Sequence, residues 1–257
     1  MIYDFLELDN ISEGNYLNDF YSNSVLKVNK IIDKNTCLNA LSYFLKNEEY
    51  LIYKYKNDSK GLVLDKINKK DYIKYFEYPL SENFGIFGPF INNKIIALAS
   101  KLLDCDVFLR SMEIHARGPG SSDIPPHQDN GYYGLKKSDA LTFYIALNPQ
   151  TSEDGGLTYI SNKQGTEFEH ISSSSKAFSL CIKPNDLPKN NKYFEPNYDT
   201  GDCTIHHACS IHFAEPVKFS AINRSVVVRL SFFGVNNTIK DGHLDWYKKM
   251  LKANRAK

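Results

Sequence analysis

Ala140-Leu141-Thr142-Phe143-Tyr144-Ile145-Ala146-Leu147 is an uncharged run, flanked by Ser138-Asp139 and by Asn148-Pro149. Its aromatic and β-branched content and its turn-forming borders predict a strand. Alternation then gives the strand two unlike faces. Leu141, Phe143, Ile145 and Leu147 form an apolar side that should pack beneath helices, while Thr142 and Tyr144 point the other way, toward a cavity.

The same texture recurs outward from this run, at 107–116, 127–133, 157–160, 177–182, 203–207, 209–213 and 225–233. Turn-forming clusters separate these runs, among them Gly118-Pro119-Gly120, Glu153-Asp154-Gly155-Gly156, Lys183-Pro184-Asn185-Asp186 and Thr200-Gly201-Asp202. Short strands at this density predict a closed antiparallel core, a jelly roll or barrel. Residues 1–104 read as mainly helical support. Asp33 or Asn35 can cap a helix to about Phe44, and Asn92 or Asn93 one to about Leu103. A last helix, from Asp241 to about Ala253, carries the only tryptophan, Trp246. With no repeat and no linker, residues 1–257 are expected to form one domain. Its parts are the helical support, a core over 105–234 and a C-terminal helix within 235–257. The fold class is therefore an all-β core with helices.

The chain has 31 basic and 30 acidic residues. That balance argues against a partner captured by net charge, whether nucleic acid or anionic membrane. It has no apolar run approaching the ~18 residues of a membrane span and no basic leader at its start, so a cytoplasmic, membrane-free protein is expected. The five cysteines include no C-x-x-C pair and read as free thiols in a reducing compartment. Only five of the basic residues are arginines, so each merits inspection: Arg110, Arg117, Arg224, Arg229 and Arg255.

Chemistry concentrates in Pro125-Pro126-His127-Gln128-Asp129-Asn130. Two residues apart on a strand, His127 and Asp129 share a face and can occupy adjacent positions on one metal ion. Downstream, the 201–212 stretch offers His206, His207 and His212. Any one of them would complete two histidines and a carboxylate, the facial set of non-haem Fe(II) oxygenases, which leaves positions for a 2-oxo acid and O2. In 223–233, Arg224 shares strand parity with Val226, Val228, Leu230 and Phe232. We expect this face to point into the barrel, with Arg224 gripping a buried carboxylate and Arg229 structural or solvated.

These stretches together resemble the phytanoyl-CoA dioxygenase family of Fe(II)/2-oxoglutarate oxygenases. The resemblance covers roughly residues 105–233. It rests on His127-Gln128-Asp129-Asn130-Gly131-Tyr132-Tyr133, Tyr144-Ile145-Ala146-Leu147, Asp154-Gly155-Gly156-Leu157, Gly201-Asp202, Ile211-His212 and Arg224. It implies a double-stranded β-helix of cupin type with His127, Asp129 and His212 as iron ligands. It further implies that Arg224 binds the distal carboxylate of 2-oxoglutarate, in a pocket lined by Tyr144 beside Thr142. Two positions depart from the pattern. Ala214 stands where a small hydroxyl residue is common, and Ser161-Asn162-Lys163 replaces a Gly-Ser-His-like turn. Asp129 argues against a halogenase, in which that carboxylate is lost.

Glu113, Arg117, Asn130 and Tyr132 are expected to surround the substrate, by parity or by adjacency to Asp129. Two loops, 117–126 and 183–200, are placed to close over the metal. Both charge signs and a phenol with little greasy surface point to a small or medium-sized polar metabolite rather than a long acyl-CoA. The expected reaction is hydroxylation. Desaturation, cyclisation or an acyl-CoA substrate are alternatives on the same ligands, and a non-catalytic jelly-roll binding protein is the alternative from another class.

Overall fold

The structure, a computed structural model, describes residues 2–5, 13–175, 178–188, 192–221 and 224–255. Ala177 of one expected strand, Asn223, and residues 189–191 of an expected loop lie outside the described residues.

Elements run in the order β1 (Ile2–Asp4), α1 (Glu13–Asn23), β2 (Val25–Asn29), α2 (Lys34–Tyr55), β3 (Leu62–Ile67), β4 (Lys70–Phe76), α3 (Pro79–Glu82), α4 (Phe84–Phe87) and α5 (Asn93–Leu103). Then follow β5 (Val107–Arg117), β6 (Ile124–His127), α6 (Asp129–Tyr133), β7 (Ala140–Ala146), β8 (Thr158–Ile160), β9 (His170–Ser172) and β10 (Leu180–Ile182). The chain closes with β11 (Tyr193–Phe194), β12 (Cys203–His207), β13 (Ile211–Ala214), β14 (Ser225–Gly234) and α7 (His243–Arg255).

Two sheets face each other as a jelly roll. The larger has eight strands in the order β1-β2-β12-β7-β14-β5-β4-β3; the smaller has the order β11-β8-β13-β6. The outer face of the large sheet is sealed by helices: Phe20 of α1, Phe44 and Leu51 of α2, and Ile95, Leu98 and Leu102 of α5 meet Met112, Ile114, Phe143, Ile145, Val228 and Leu230. Helix starts follow the capping expected from sequence. Asp33 accepts from Thr36 N at the start of α2, and Asn92 from Ile95 N at the start of α5. Helix α2 runs a full eleven residues past Phe44, to Tyr55.

Two expectations need correction. The first 104 residues are not only helical support, because β1–β4 extend the large sheet at both edges. The β3–β4 hairpin was hidden by its charged residues: Lys66, Lys69, Lys70 and Asp71 are exposed, and Asp65 and Lys74 are buried as a pair 3.8 Å apart. Its two-residue turn, Asn68-Lys69, has φ of 51° and 67° and no glycine. The second concerns 127–133. The strand ends at His127, and Asp129 begins the short helix α6, closed by Gly134 at φ 64°.

Candidate active site

His127 and His212 sit directly opposite each other on the paired strands β6 and β13, with ring centroids 4.2 Å apart. Asp129 reaches the same point from α6. One ligand atom from each of the three lies within 4.8 Å of the others, and all three residues are buried. The histidine tautomers are fixed from behind. His127 Nδ1 donates to Pro125 O at 2.8 Å and His212 Nδ1 to Ser210 O at 3.0 Å. A carbonyl only accepts, so each Nδ1 carries the proton and each Nε2 lone pair is free for a metal. Burial pushes the His127 pKa down to about 4, and burial with His127 and His206 nearby lowers that of His212. Both imidazoles are thus neutral at physiological pH, the form that binds metal. Asp129 is held well below the usual carboxylate range: burial opposes ionisation, and Arg229, His206 and His212 overcome it. Two neutral imidazoles and an ionised carboxylate on one side of a cavity fit a divalent transition metal.

The cavity has a volume of about 770 Å³ and is lined by all three ligands. Its walls also carry Glu113, Arg117, Tyr132, Tyr144, His206 and Arg229. Strand parity delivers these groups as read from sequence on β5 and β7. Ser111, Glu113, His115 and Arg117 alternate with the buried Met112, Ile114 and Ala116. Thr142 donates to Asp129 Oδ2 at 2.8 Å.

On β14 the parity expectation was inverted. Val228 pairs with Ile114 and Leu230 with Met112, and directly paired residues of neighbouring strands share a face. The valine face therefore lies under the helices. Arg224 goes with it and forks Glu48 of α2, Nη1 to Oε2 at 2.9 Å and Nη2 to Oε1 at 2.7 Å, while Nη2 also donates to Ile73 O at 2.6 Å. Arg229 is paired with Glu113 and Tyr144 and points inward, donating to Glu113 Oε2 at 2.8 Å and Asp129 Oδ2 at 2.6 Å. Its register against Glu113 and Tyr144 is what places it inside.

The other singled-out residues divide. Tyr132 stacks edge-on against His127 at 5.6 Å, and its hydroxyl meets the Leu180 backbone. Asn130 turns away from the cavity and ties Leu135, Ser138 and Glu167 together. Glu113 is engaged by Arg229, by His115 at 3.2 Å and by Ser111 at 2.8 Å. Arg117 is 3 % exposed, and its guanidinium donates to the carbonyls of Gly155, Ser122 and Glu215. Its Nε has no partner, and none of its hydrogen bonds or ion pairs among the described residues is to a carboxylate. Gly155, at φ 100°, is pinned here, since an added Cβ would lie 3.0 Å from Arg117 Cβ. Of the histidines left open, His207 Nδ1 accepts from Cys209 N, whereas His206 faces the cavity beside His212, ring centroids 4.5 Å apart.

The phytanoyl-CoA dioxygenase model matches residues 34–225. No curated protein sequence matches the chain. Among solved structures, EctD from S. alaskensis with 2-oxoglutarate and 5-hydroxyectoine superposes with a TM-score of 0.69 at 13% identity, covering 90% of this chain and 78% of its own. The 2-oxoglutarate-dependent carbocyclase SnoK from nogalamycin biosynthesis gives 0.67 at 16% identity, over 93% and 91%. The epimerase SnoN with Fe3+, 2-oxoglutarate and nogalamycin RO gives 0.65 at 16%, over 88% and 85%. A family match over most of the chain, on a jelly roll that gathers two histidines and an aspartate, makes this protein a member of the phytanoyl-CoA dioxygenase family of Fe(II)/2-oxoglutarate-dependent oxygenases.

Proposed function

We propose that the protein hydroxylates a small or medium-sized polar metabolite, using Fe(II) held by His127, Asp129 and His212. The convergence of these three side chains in the cavity wall carries the reading. Bound there, the metal supplies the redox chemistry that couples oxidative decarboxylation of 2-oxoglutarate to oxidation of a substrate C–H bond. The chain's own groups do the rest. Paired carbonyls behind the histidines hold the ligand tautomers, and the buried walls limit water.

The distal carboxylate of 2-oxoglutarate is assigned to Arg117, beside Tyr144, in place of Arg224. Charge supports this. Arg229 is matched by Glu113, and Asp129 by half the charge of a divalent metal. What remains unmatched in the inner cavity is one metal charge and Arg117, the complement of a dianion. Burial pulls the Arg117 guanidinium below its ordinary value, only partly offset by Tyr144, Asp65, Asp123 and Glu215, a cost that a directly bound carboxylate would relieve further. Arg117→Met should weaken 2-oxoglutarate binding by about 3 kcal/mol, roughly a hundredfold. Arg117→Lys should recover part of it. Unchanged affinity in both would overturn the assignment.

Toward the mouth the cavity carries Lys60, Glu77 and Arg110 beside Tyr75, Phe178 and Tyr247, a mixed polar and aromatic lining suited to a polar ring or zwitterion rather than an acyl chain. Relatives of the fold hold 5-hydroxyectoine and nogalamycin RO, both small molecules. The five cysteines, free in the structure, support a reducing, cytoplasmic setting. No described helix is long and apolar enough to cross a membrane. The test is a metabolite screen for substrate-stimulated succinate formation, followed by mass spectrometry for the gain of one oxygen atom. Stimulation by acyl-CoA thioesters alone would sink the polar-metabolite reading. Loss of two hydrogens would replace hydroxylation by desaturation or cyclisation.

A further inference from the structure

The two oxygens of Asp129 live in different surroundings. Oδ2 accepts from Arg229 Nη2 at 2.6 Å and from Thr142 Oγ1 at 2.8 Å, and His206 Nε2 lies 3.4 Å away. Oδ1 accepts no hydrogen bond among the described residues and faces His212 Nε2 at 3.8 Å. The two donors and His206 come from three neighbouring strands, β14, β7 and β12, so the sheet itself sets their spacing. Arg229 is in turn fixed by Glu113 Oε2 at 2.8 Å and by Tyr133 Oη at 2.7 Å. His206 is fixed through Nδ1, 3.1 Å from the Tyr159 hydroxyl, and its buried Nε2 has no hydrogen-bond partner.

We propose that Arg229, with Thr142 and His206 beside it, is a positioning residue that occupies the outer oxygen of Asp129 and so keeps this carboxylate a one-oxygen metal ligand. The chemical consequence concerns the open positions. A carboxylate free to bind through both oxygens would take a place that a 2-oxo acid needs to chelate through its keto and carboxylate oxygens. Two strong donors on Oδ2 use the lone pairs that such a second bond requires, one of them charge-assisted. The arrangement also explains a buried arginine between two carboxylates. Glu113 holds the guanidinium in place without drawing it off Asp129, because Nη1 serves Glu113 and Nη2 serves Asp129.

The proposal rests on the Fe(II)/2-oxoglutarate reading and predicts an unusual split. In Arg229→Met, anaerobic Fe(II) binding should stay within about threefold of wild type or tighten, since the carboxylate gains an oxygen and a neighbouring cation is gone. Binding of 2-oxoglutarate to the Fe(II)-loaded protein, read by the visible band of the chelate, should weaken by about tenfold or more. Arg229→Lys should restore part of the band. Thr142→Val, which removes one donor at constant shape, should shift the same quantities in the same direction but less, and it carries the test should Arg229→Met fail to fold. Fe(II) binding lost together with 2-oxoglutarate binding, or a chelate band and affinity like wild type in Arg229→Met and Thr142→Val, would overturn the clamp. Wild-type protein that binds Fe(II) but no 2-oxoglutarate would bring down the functional reading itself, and the clamp with it.

Discussion

The two faces of the eight-stranded sheet are made by the same residues of sequence, taken alternately, and they do opposite work. On the outer face Met112, Ile114, Phe143, Ile145, Val228 and Leu230 are almost wholly buried beneath helices. On the inner face the intervening Glu113, His115, Arg117, Tyr144 and Arg229 line the cavity, and hydrogen bonds join Glu113, His115, Arg229 and Thr142. Stability is concentrated on one side and chemistry on the other, separated by the thickness of one sheet. The two arginines of β14 and its entry make the point most sharply. Arg224 fastens a helix to the sheet; Arg229 touches Asp129 of the candidate metal site.

This division can be broken experimentally, and the largest effect belongs to the inner side. Asp129→Ala or His212→Ala should reduce Fe(II) affinity by about a hundredfold or more, while the chain stays folded. Calorimetric titration with Fe(II) under argon checks this. Retained affinity in His212→Ala, with loss in a His206→Ala variant, would move the third ligand to His206.

On the outer side Phe143→Ala removes a fully buried ring that packs edge-on against Phe232 at 5.6 Å. It should cost about 3–5 kcal/mol in denaturant unfolding, with Fe(II) affinity of the folded protein unchanged. Arg224→Met should be milder, about 2 kcal/mol, because the ion pair with Glu48 is partly exposed, 18% and 12% at the two side chains. Its 2-oxoglutarate affinity should match wild type. A large loss of that affinity would restore Arg224 to the co-substrate site and erase the contrast between the faces.

The contrast can also be sharpened through pH. Burial pushes His127, His170 and His207 down to about 4, from an ordinary value of 6.5. Between those values the unfolded chain binds protons that the native one does not, so stability rises with pH across that window. The thermal midpoint of metal-free protein should therefore fall progressively from about pH 6.5 toward pH 4. Fe(II) should steepen the dependence, because the metal competes with the same protons. A flat profile would mean that these imidazoles are not held neutral.

Much of the site was legible because strand alternation is a local property. His127, Tyr144 and the inward faces of β5 and β7 follow from reading every second residue. Asp129 reaches the two histidines from a helical turn rather than from the strand, so alternation alone does not place it. The hairpin of β3 and β4 was not legible, because charged residues on its solvent side and a glycine-free turn erased the usual marks of a strand pair. Tertiary context overrode pattern there.

Sequence alone determined the antiparallel core, helix starts within two residues of Asp33 and Asn92, and the family, with its paired histidines and aspartate. Each is carried by spacing along the chain or by a short motif. Tertiary structure alone decided which face of β14 looks inward. Alternation says only that Arg224 and Arg229 lie on opposite sides. The side facing the metal is fixed by register against Glu113 and Tyr144 on the neighbouring strands, and by the helices that cover the valines. It likewise decided that Arg117 is a buried cation with an idle Nε, because its surroundings come from Gly155, Ser122 and Glu215, distant segments that meet only in the fold.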